Sequence, residues 1–538
     1  MPTITTPTRL ASLAATLLSL SSQVGAVPAG LAESLFPSFS NNNLTHYLCL
    51  DTARTASASD GDALELSYPS SSDYSTLSTS YNPVFHYQPS LIALPDNEAD
   101  VQAIVRCVSS AKGSQKISPK SGGHSYEAYH FGGADGFVVV DLINLQSISV
   151  DKAAKTARVG AGVRLGLLAS TLNDQGFALP HGTCPYVGIG GHSTGGGYGL
   201  TSRNWGFLLD RIVSMEVVKA DGSLVTVSPT ENQDLFFALR GAGSNNFGMI
   251  TSFTLDLEPA PKSVINFSYS YKTNSDCAHA LVALQTLALS PDPNVGFPAE
   301  LGGELLIAGQ SSGNACSLSG QHIGATKSSH QAVISRLDAK TNPRGVYRVG
   351  SSVQSFNWID SLKNIMGDLD TSQPYQDHEQ FYAKSLVQPP EAKYTYETAL
   401  KLVEKLDGYA NLEGTGNSIS FAFLGPTSYP WTKGDAKGES SFNSHKALFI
   451  NQFYSYDFPT SNDRGQQDRV YAAFDDLVQT ARSSSPNANW SAYVNYIDRR
   501  LQDWGKAYYG SQVDRLKEIK KVHDPDNIFD FPQGISHA

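Results

Sequence analysis

The sequence has 538 residues, 40% of them hydrophobic and 17% charged. That balance excludes general disorder, and the length suits more than one structural unit. A formal net charge of −11, with no basic stripe, excludes a nucleic-acid backbone as partner.

In chain order, the first pattern is an export signal over residues 1–26. Arg9 precedes the apolar run Leu10 to Leu20, and Val24-Gly25-Ala26 offers small residues for cleavage. The mature protein is therefore expected to be secreted and extracellular. No later stretch is long and apolar enough to span a bilayer. Asn43-Leu44-Thr45, Asn266-Phe267-Ser268 and Asn489-Trp490-Ser491 are glycosylation acceptors in an exported chain. Five cysteines, an odd number, predict two disulfides and one thiol with another task. Spacing does not fix the pairing; Cys49–Cys107 with Cys277–Cys316 is the expectation adopted, which leaves Cys184.

Residues 28–66 read as polar loop. From Ser90 the texture becomes short strands and helices. Leu91-Ile92-Ala93-Leu94 predicts a strand, and Asp96 and Asn97 predict the cap of a helix through residues 101–105. Phe137-Val138-Val139-Val140, Ile212 to Val218 and Leu224 to Val227 predict strands, the last two joined by a turn at Ala220-Asp221-Gly222-Ser223. The pattern breaks at Glu258-Pro259-Ala260-Pro261, a candidate domain junction. Beyond it, Ile265 to Tyr271 predicts a strand and Tyr396 to Leu406 a helix. The expected division is a first domain over residues 27–260, a second over 261–486, and a C-terminal segment, 487–538, that completes the first.

Two glycine-rich constellations carry chemistry. In Ser121-Gly122-Gly123-His124-Ser125-Tyr126 the paired glycines let successive N–H groups point into one concavity, a nest for phosphate oxygens. An ordinary turn before a structural histidine fits the same residues. The pattern lacks the Gly-x-Gly-x-x-Gly of a dinucleotide βαβ unit. The second runs from Gly182-Thr183-Cys184-Pro185 through Val187, Gly188, Gly191 and His192 to Gly195-Gly196-Gly197-Tyr198-Gly199. So many glycines bury little and cost backbone entropy, so they fit where backbone must approach a flat or charged ligand closely. Gly191-His192-Ser193-Thr194-Gly195 also matches a hydrolase nucleophile elbow, but lacks the strand before it and the helix after it. Histidine and cysteine spacing gives no metal site.

These motifs, with Gly241-Ala-Gly-Ser-Asn-Asn246-Phe-Gly248-Met-Ile250 and Asp524-Pro-Asp-Asn527-Ile-Phe529, closely resemble the berberine-bridge-enzyme-like oxidases. Within these, the resemblance is nearest to the fungal oligosaccharide oxidases. It implies an α+β, two-domain FAD-binding fold of the vanillyl-alcohol-oxidase type, with a large antiparallel sheet in the substrate domain. It implies one FAD bonded to His124 at the 8α methyl and to Cys184 at ring carbon six. By the same resemblance, Ser121 to Ser125 cradles the pyrophosphate, with Gly188, Gly191, His192 and Gly195 beside the cofactor. Asn246, Gly248 and Ile250 fall near its adenine half. Val187 matches a position where a small side chain admits oxygen, which favours an oxidase.

In Tyr493-Val494-Asn495-Tyr496-Ile497-Asp498, a strand would put Tyr493 and Tyr496 on opposite faces, and a helix would put them side by side. The resemblance assigns Tyr496 as the base that takes a substrate hydroxyl proton, with Tyr493, Tyr126 and Tyr198 lining the active site. It also requires an acid on a central strand, where Ser418 to Pro426 has none. Asp498 is the candidate substitute. Gln452 is either a substrate contact or a sheet glutamine. The expected activity is oxidation of a hydroxyl at an oligosaccharide reducing end, giving a lactone, with molecular oxygen reduced to hydrogen peroxide; the alternative is an alcohol or amine of a secondary-metabolite pathway. A monomer is expected.

Overall fold

The computed structural model describes residues 49–54, 64–243, 245–372, 378–460 and 463–536. The expected signal peptide and the Asn43 triplet lie outside them.

Leu91–Leu94 is a buried strand. The helix after it is longer than its apolar centre, running Glu98–Ser109, and it is Asn97 that caps it, accepting the Asp100 N–H at 3.0 Å. Such a cap contributes about 1 kcal/mol. Val101, Ile104, Val105 and Val108 recur at helical spacing and are buried. The crossover lets Leu91–Leu94 and Ile117–Lys120 both pair in parallel with Val138–Asp141. Glu65–Ser67 adds an antiparallel edge.

Ile212–Val218 and Leu224–Val227 form a hairpin. Its turn places Gly222 at φ +77°, and the Lys219 N–H donates to the Ser223 carbonyl at 2.9 Å. With Met249–Asp256, Thr156–Gly160 and Ile148–Asp151 they make a five-stranded antiparallel sheet. One hydrophobic core runs through this sheet and the first. Glu258–Pro259 pairs with Phe177–Ala178, and there the chain leaves this unit.

Next comes a seven-stranded antiparallel sheet. Its order is Gly350–Phe356, Val264–Tyr271, Cys316–Ile323, Leu301–Ile307, Gly416–Phe423, Phe449–Tyr456, Phe381–Gln388. Period-two alternation sorts its faces. Ile265, Phe267, Tyr269, Leu305, Leu318, Phe421 and Phe453 enter the second core, under the helices Asn274–Ala288, Lys327–Thr341, Tyr396–Gly408 and Arg464–Arg482. The opposite face, carrying Ser268, Ser319, Glu304, Ser420 and Gln452, turns toward the first unit. A small cluster including Phe207, Phe442, Ala422, Ile450 and Tyr493 joins the two units.

The last segment returns to the first unit. The Ile117 N–H donates to the Ile528 carbonyl at 2.9 Å, and Ile117 bridges Phe529 in parallel. Buried Lys520 donates to Asp524 at 2.6 Å and to the carbonyls of Asn246 and Phe529 at 2.5 Å. The fold is thus α+β with a large antiparallel sheet, as expected.

Cys49 pairs with Cys107 and Cys277 with Cys316, leaving Cys184 free. The acceptor reading of Asn266 does not hold. Its side chain is buried in the sheet, donating to the Ser361 carbonyl at 3.0 Å and to Asn364 at 2.9 Å. Asn489 is exposed in a loop.

Candidate active site

Between the two units lies a cavity of about 520 Å³. Glycine backbone of the first unit forms one wall, and tyrosines of the sheet and the C-terminal segment form the other. Two glycines show why no side chain fits there. A Cβ on Gly122 would meet the Gly188 nitrogen at 2.1 Å, and one on Gly195 would meet the Asn495 amide oxygen at 2.0 Å. The Gly188-to-Gly195 run folds as a short helix, Ile189–Thr194. Ser193 is fully buried inside it and its hydroxyl donates to the Gly190 carbonyl at 3.4 Å, so it is no exposed nucleophile.

His124 and Cys184 both line this cavity. Burial, and then the Arg164 charge, lower the His124 pKa to about 3, so its imidazole is neutral at ordinary pH. The Tyr81 ring stacks on it with centroids 4.0 Å apart, and the Tyr81 hydroxyl donates to Glu379 at 2.8 Å. The surface of Cys184 opens into the cavity. The enclosing walls, and then Glu379, raise its thiol pKa. His192 accepts the Gly182 N–H at its Nε2 (3.0 Å), and burial followed by the His181 charge lowers its pKa to about 3.

Residues 493–498 adopt neither of the expected alternatives. Tyr493 is extended and Val494–Tyr496 is a single 3₁₀ turn. The turn sets Tyr493 edge-on to Tyr496, centroids 4.9 Å apart, and lays Tyr126 parallel to Tyr496 at 5.7 Å. The Tyr493 hydroxyl accepts the N–H groups of Gly197 and Tyr198 at 3.0 and 3.1 Å, so it braces the glycine turn. Gln452 donates to the Tyr126 hydroxyl at 2.7 Å. The Tyr198 hydroxyl is buried without a protein partner. Burial, then Tyr126, Tyr493, Glu304 and Tyr198, hold the Tyr496 phenol well above its ordinary pKa.

Asp498 does not serve the Tyr496 hydroxyl. It is buried elsewhere, accepting from Lys384 at 2.8 Å and Tyr382 at 3.0 Å. Two other carboxyls line the cavity, Glu304 and Glu379. Glu304 is register partner to Ala422 and hydrogen-bonded with Ser420, and burial raises its pKa against that bond.

The cavity gathers Tyr496, Tyr493, Tyr126, Tyr198, His124, Cys184, Ser121, Gly122, Gly123, Ser125, Val187, Gly188, Gly191, His192, Gly195, Ile250 and Gln452. Asn246 and Gly248 are not on its wall. Asn246 is buried, its amide oxygen accepting the Ile535 N–H at 2.7 Å, and Gly248 packs on Val217. Sequence reasoning missed Tyr81, Glu304, Glu379, Tyr454 and Tyr456. Glu304 alone had a signal, as a lone acid inside the apolar strand Leu301–Ile307.

Cofactor chemistry fits these residues. A neutral imidazole and a thiol line the cavity, close-approach glycines run through the segments that carry them, and the buried Tyr198 hydroxyl has no protein partner. Among the described residues, no helix is long and apolar enough to cross a membrane.

Comparison with known proteins agrees. Residues 89–228 match an FAD binding domain, and residues 492–536 match the berberine and berberine-like family. The chain is 35% identical over 490 residues to a xylooligosaccharide oxidase of Thermothelomyces thermophilus, covering 87% of this chain and 91% of the relative. A solved xylooligosaccharide oxidase from Myceliophthora thermophila, in complex with xylobiose, superposes with TM-score 0.80 at 31% identity, over 91% of this chain and 99% of that one. A glucooligosaccharide oxidase from Acremonium strictum, described as carrying a 6-S-cysteinyl, 8α-N1-histidyl FAD, gives TM-score 0.80 at 29% identity, over 92% and 99%. An FAD-linked oxidoreductase, sorD, of Penicillium rubens is 32% identical over 481 residues, 88% of this chain and 96% of the relative.

Proposed function

Because the chain belongs to the berberine-bridge-enzyme-like FAD-linked oxidases, and is an FAD-dependent oxidoreductase, we propose that it is a secreted carbohydrate oxidase acting on the reducing end of oligosaccharides. Bound FAD would supply the hydride acceptor and the route of electrons to oxygen, so that the products would be a lactone and hydrogen peroxide. The observation that carries the reading is the meeting of His124, Cys184 and Tyr496 on one cavity.

His124, with its imidazole neutral, would hold the FAD ring at the 8α methyl carbon. Cys184 would hold the ring at carbon six through its sulfur. The Ser121-to-Ser125 nest would receive the pyrophosphate oxygens, and Val187 would leave room for oxygen. Ile250 would border the adenine half, with Asn246 and Gly248 behind that wall.

Tyr496 takes the substrate hydroxyl proton at its phenolic oxygen. A free phenolate is unfavourable in so enclosed a place, so its own proton moves on as the new one arrives. Glu304 is the carboxylate whose charge reaches Tyr496, and it receives that proton. Gln452 and Tyr126 orient the sugar, and Tyr493 keeps the facing glycine turn in place.

A second reading keeps the cofactor and replaces the sugar with a small alcohol or amine of a biosynthetic pathway. Ser420 and Ala422, standing where the sugar oxidases need an acid, favour it, as does the likeness to sorD. Peroxide release on a panel of cello-, xylo- and chito-oligosaccharides decides. Turnover of any of them supports the first reading, and silence on all, with flavin in place, rejects it.

A further inference from the structure

His124 and Cys184 share a carboxyl neighbour. Glu379 stands just before the strand Phe381–Gln388 and lines the cavity with both of them. It accepts the Tyr81 hydroxyl at 2.8 Å, and its own N–H donates to the Tyr81 carbonyl at 3.1 Å. Asn82 ties the same segments together, donating to the carbonyls of Phe381 at 2.9 Å and Tyr126 at 3.0 Å. Side chain and backbone therefore fix Glu379 against Tyr81, whose ring lies on His124 with centroids 4.0 Å apart. The Tyr454 hydroxyl bonds to Glu379 as well. An ionised carboxylate has about four acceptor positions, so two phenols leave room for a proton.

Carbon six and the 8α methyl belong to one ring of the flavin, so both bonds require the His124 nitrogen and the Cys184 sulfur within a ring's width of each other. A carboxyl braced beside His124 then stands beside Cys184 too, and its charge reaches that sulfur. The charge of Glu304, by contrast, reaches Tyr496 and Tyr198. The two acids thus serve different ends of the cavity. Sulfur bonds to carbon as a thiolate, yet the enclosing walls keep the Cys184 proton in place. Tyr126 and Tyr454 are pushed away from the phenolate form, mainly by burial, and the His124 nitrogen is committed to its own bond. A carboxylate is the acceptor that remains.

We propose that Glu379 takes the proton of Cys184 as that sulfur joins the flavin ring, with Tyr81 holding the carboxylate in position. The proposal rests on the bicovalent reading. In its balance, the S–H proton goes to Glu379, the sulfur bonds to carbon six, and the hydrogen on that carbon leaves as a proton. The electron pair left behind passes to molecular oxygen, which with the two protons becomes hydrogen peroxide.

Peptide mass spectrometry of the FAD-loaded protein tests this, with the denatured chain alkylated to count free Cys184. In the wild type, the His124 and Cys184 peptides should share one FAD. Glu379→Gln should carry FAD on His124 alone, because loss of a general base slows bond formation by about 10²-fold. Held folded under air at about pH 9, near the ordinary thiol pKa, it should form the missing bond as hydroxide takes the proton. A glutamate with a merely structural role could not be replaced in that way. If the Gln variant loads no FAD, Glu379→Ala is read likewise with and without acetate, a carboxylate small enough for the vacated space. Linkage that appears only with acetate supports the proposal. Either variant doubly linked at neutral pH without acetate, or still singly linked after its rescue, overturns it. A wild type with Cys184 free overturns the bicovalent reading itself.

Discussion

Glu304 sits directly across the strand ladder from Ala422, on the face that lines the cavity. A carboxyl thus stands on the strand beside Ala422, and Ser420 hydrogen-bonds it there. Neighbouring strands lie ~4.8 Å apart, so an acid can change strands and still face the same space.

If Glu304 receives the proton of Tyr496, it must be ionised to do so. Its pKa is raised, so activity should rise with pH through a value above the usual carboxylate range and fall below it. Glu304→Gln should keep its flavin, lose that acid limb and drop kcat by roughly 10²-fold, and Tyr496→Phe should cost about 10²- to 10⁴-fold. Steady-state pH profiles of the two variants check this. A Gln variant with wild-type kcat and profile would remove Glu304 from the reaction.

The two glycine constellations and the two nucleophiles were readable in the sequence because each is a contiguous segment whose residue types have few other uses. Tyr81, Glu379, Tyr454 and Tyr456 were not, because they reach the cavity from separate elements and only tertiary packing brings them together. The Tyr493 segment failed both periodicity templates because its single turn is too short to express either. Asp498 looked close in sequence to Tyr496, yet its register in the turn sends it to Lys384. Asn246 and Gly248 sit in a motif that lines the cavity through Gly241, Ala242, Gly243, Asn245 and Ile250, while these two residues turn away from it.

Stability should depend on pH through buried histidines. His192 is lowered to about 3, and His322 and His330 to about 4, each mainly by burial. The unfolded chain therefore binds protons that the native state refuses. Stability from these groups is complete above the unfolded histidine pKa near 6.5 and declines as pH falls toward their native values. Each contributes about 1.4 kcal/mol per pH unit within its window. Thermal melts from pH 7 to 4.5 should show Tm falling steadily. A flat Tm over that range would mean these rings are not held neutral.

Glycosylation should separate the two described acceptor triplets. When the protein is produced through a eukaryotic secretory pathway, peptide mass spectrometry should find glycan at exposed Asn489 and none at Asn266. Modified Asn266 would require the Ser361 and Asn364 contacts to be open during folding.

Removing the Tyr493 hydroxyl tests its role as a brace. Tyr493→Phe leaves the Gly197 and Tyr198 N–H groups unmatched at a buried site, at a cost of about 1–3 kcal/mol. Denaturant unfolding should show the loss while covalent flavin remains. Unchanged stability would free that hydroxyl for a substrate role.

The central claim is that His124 and Cys184 bond to one FAD. The direct measurement is flavin retention after denaturation, followed by gel fluorescence and intact mass, for the wild type, His124→Ala, Cys184→Ala and the double variant. The account predicts that the wild type and each single variant keep the flavin and that only the double variant releases it. Release from the denatured wild type, or retention by the double variant, would contradict it.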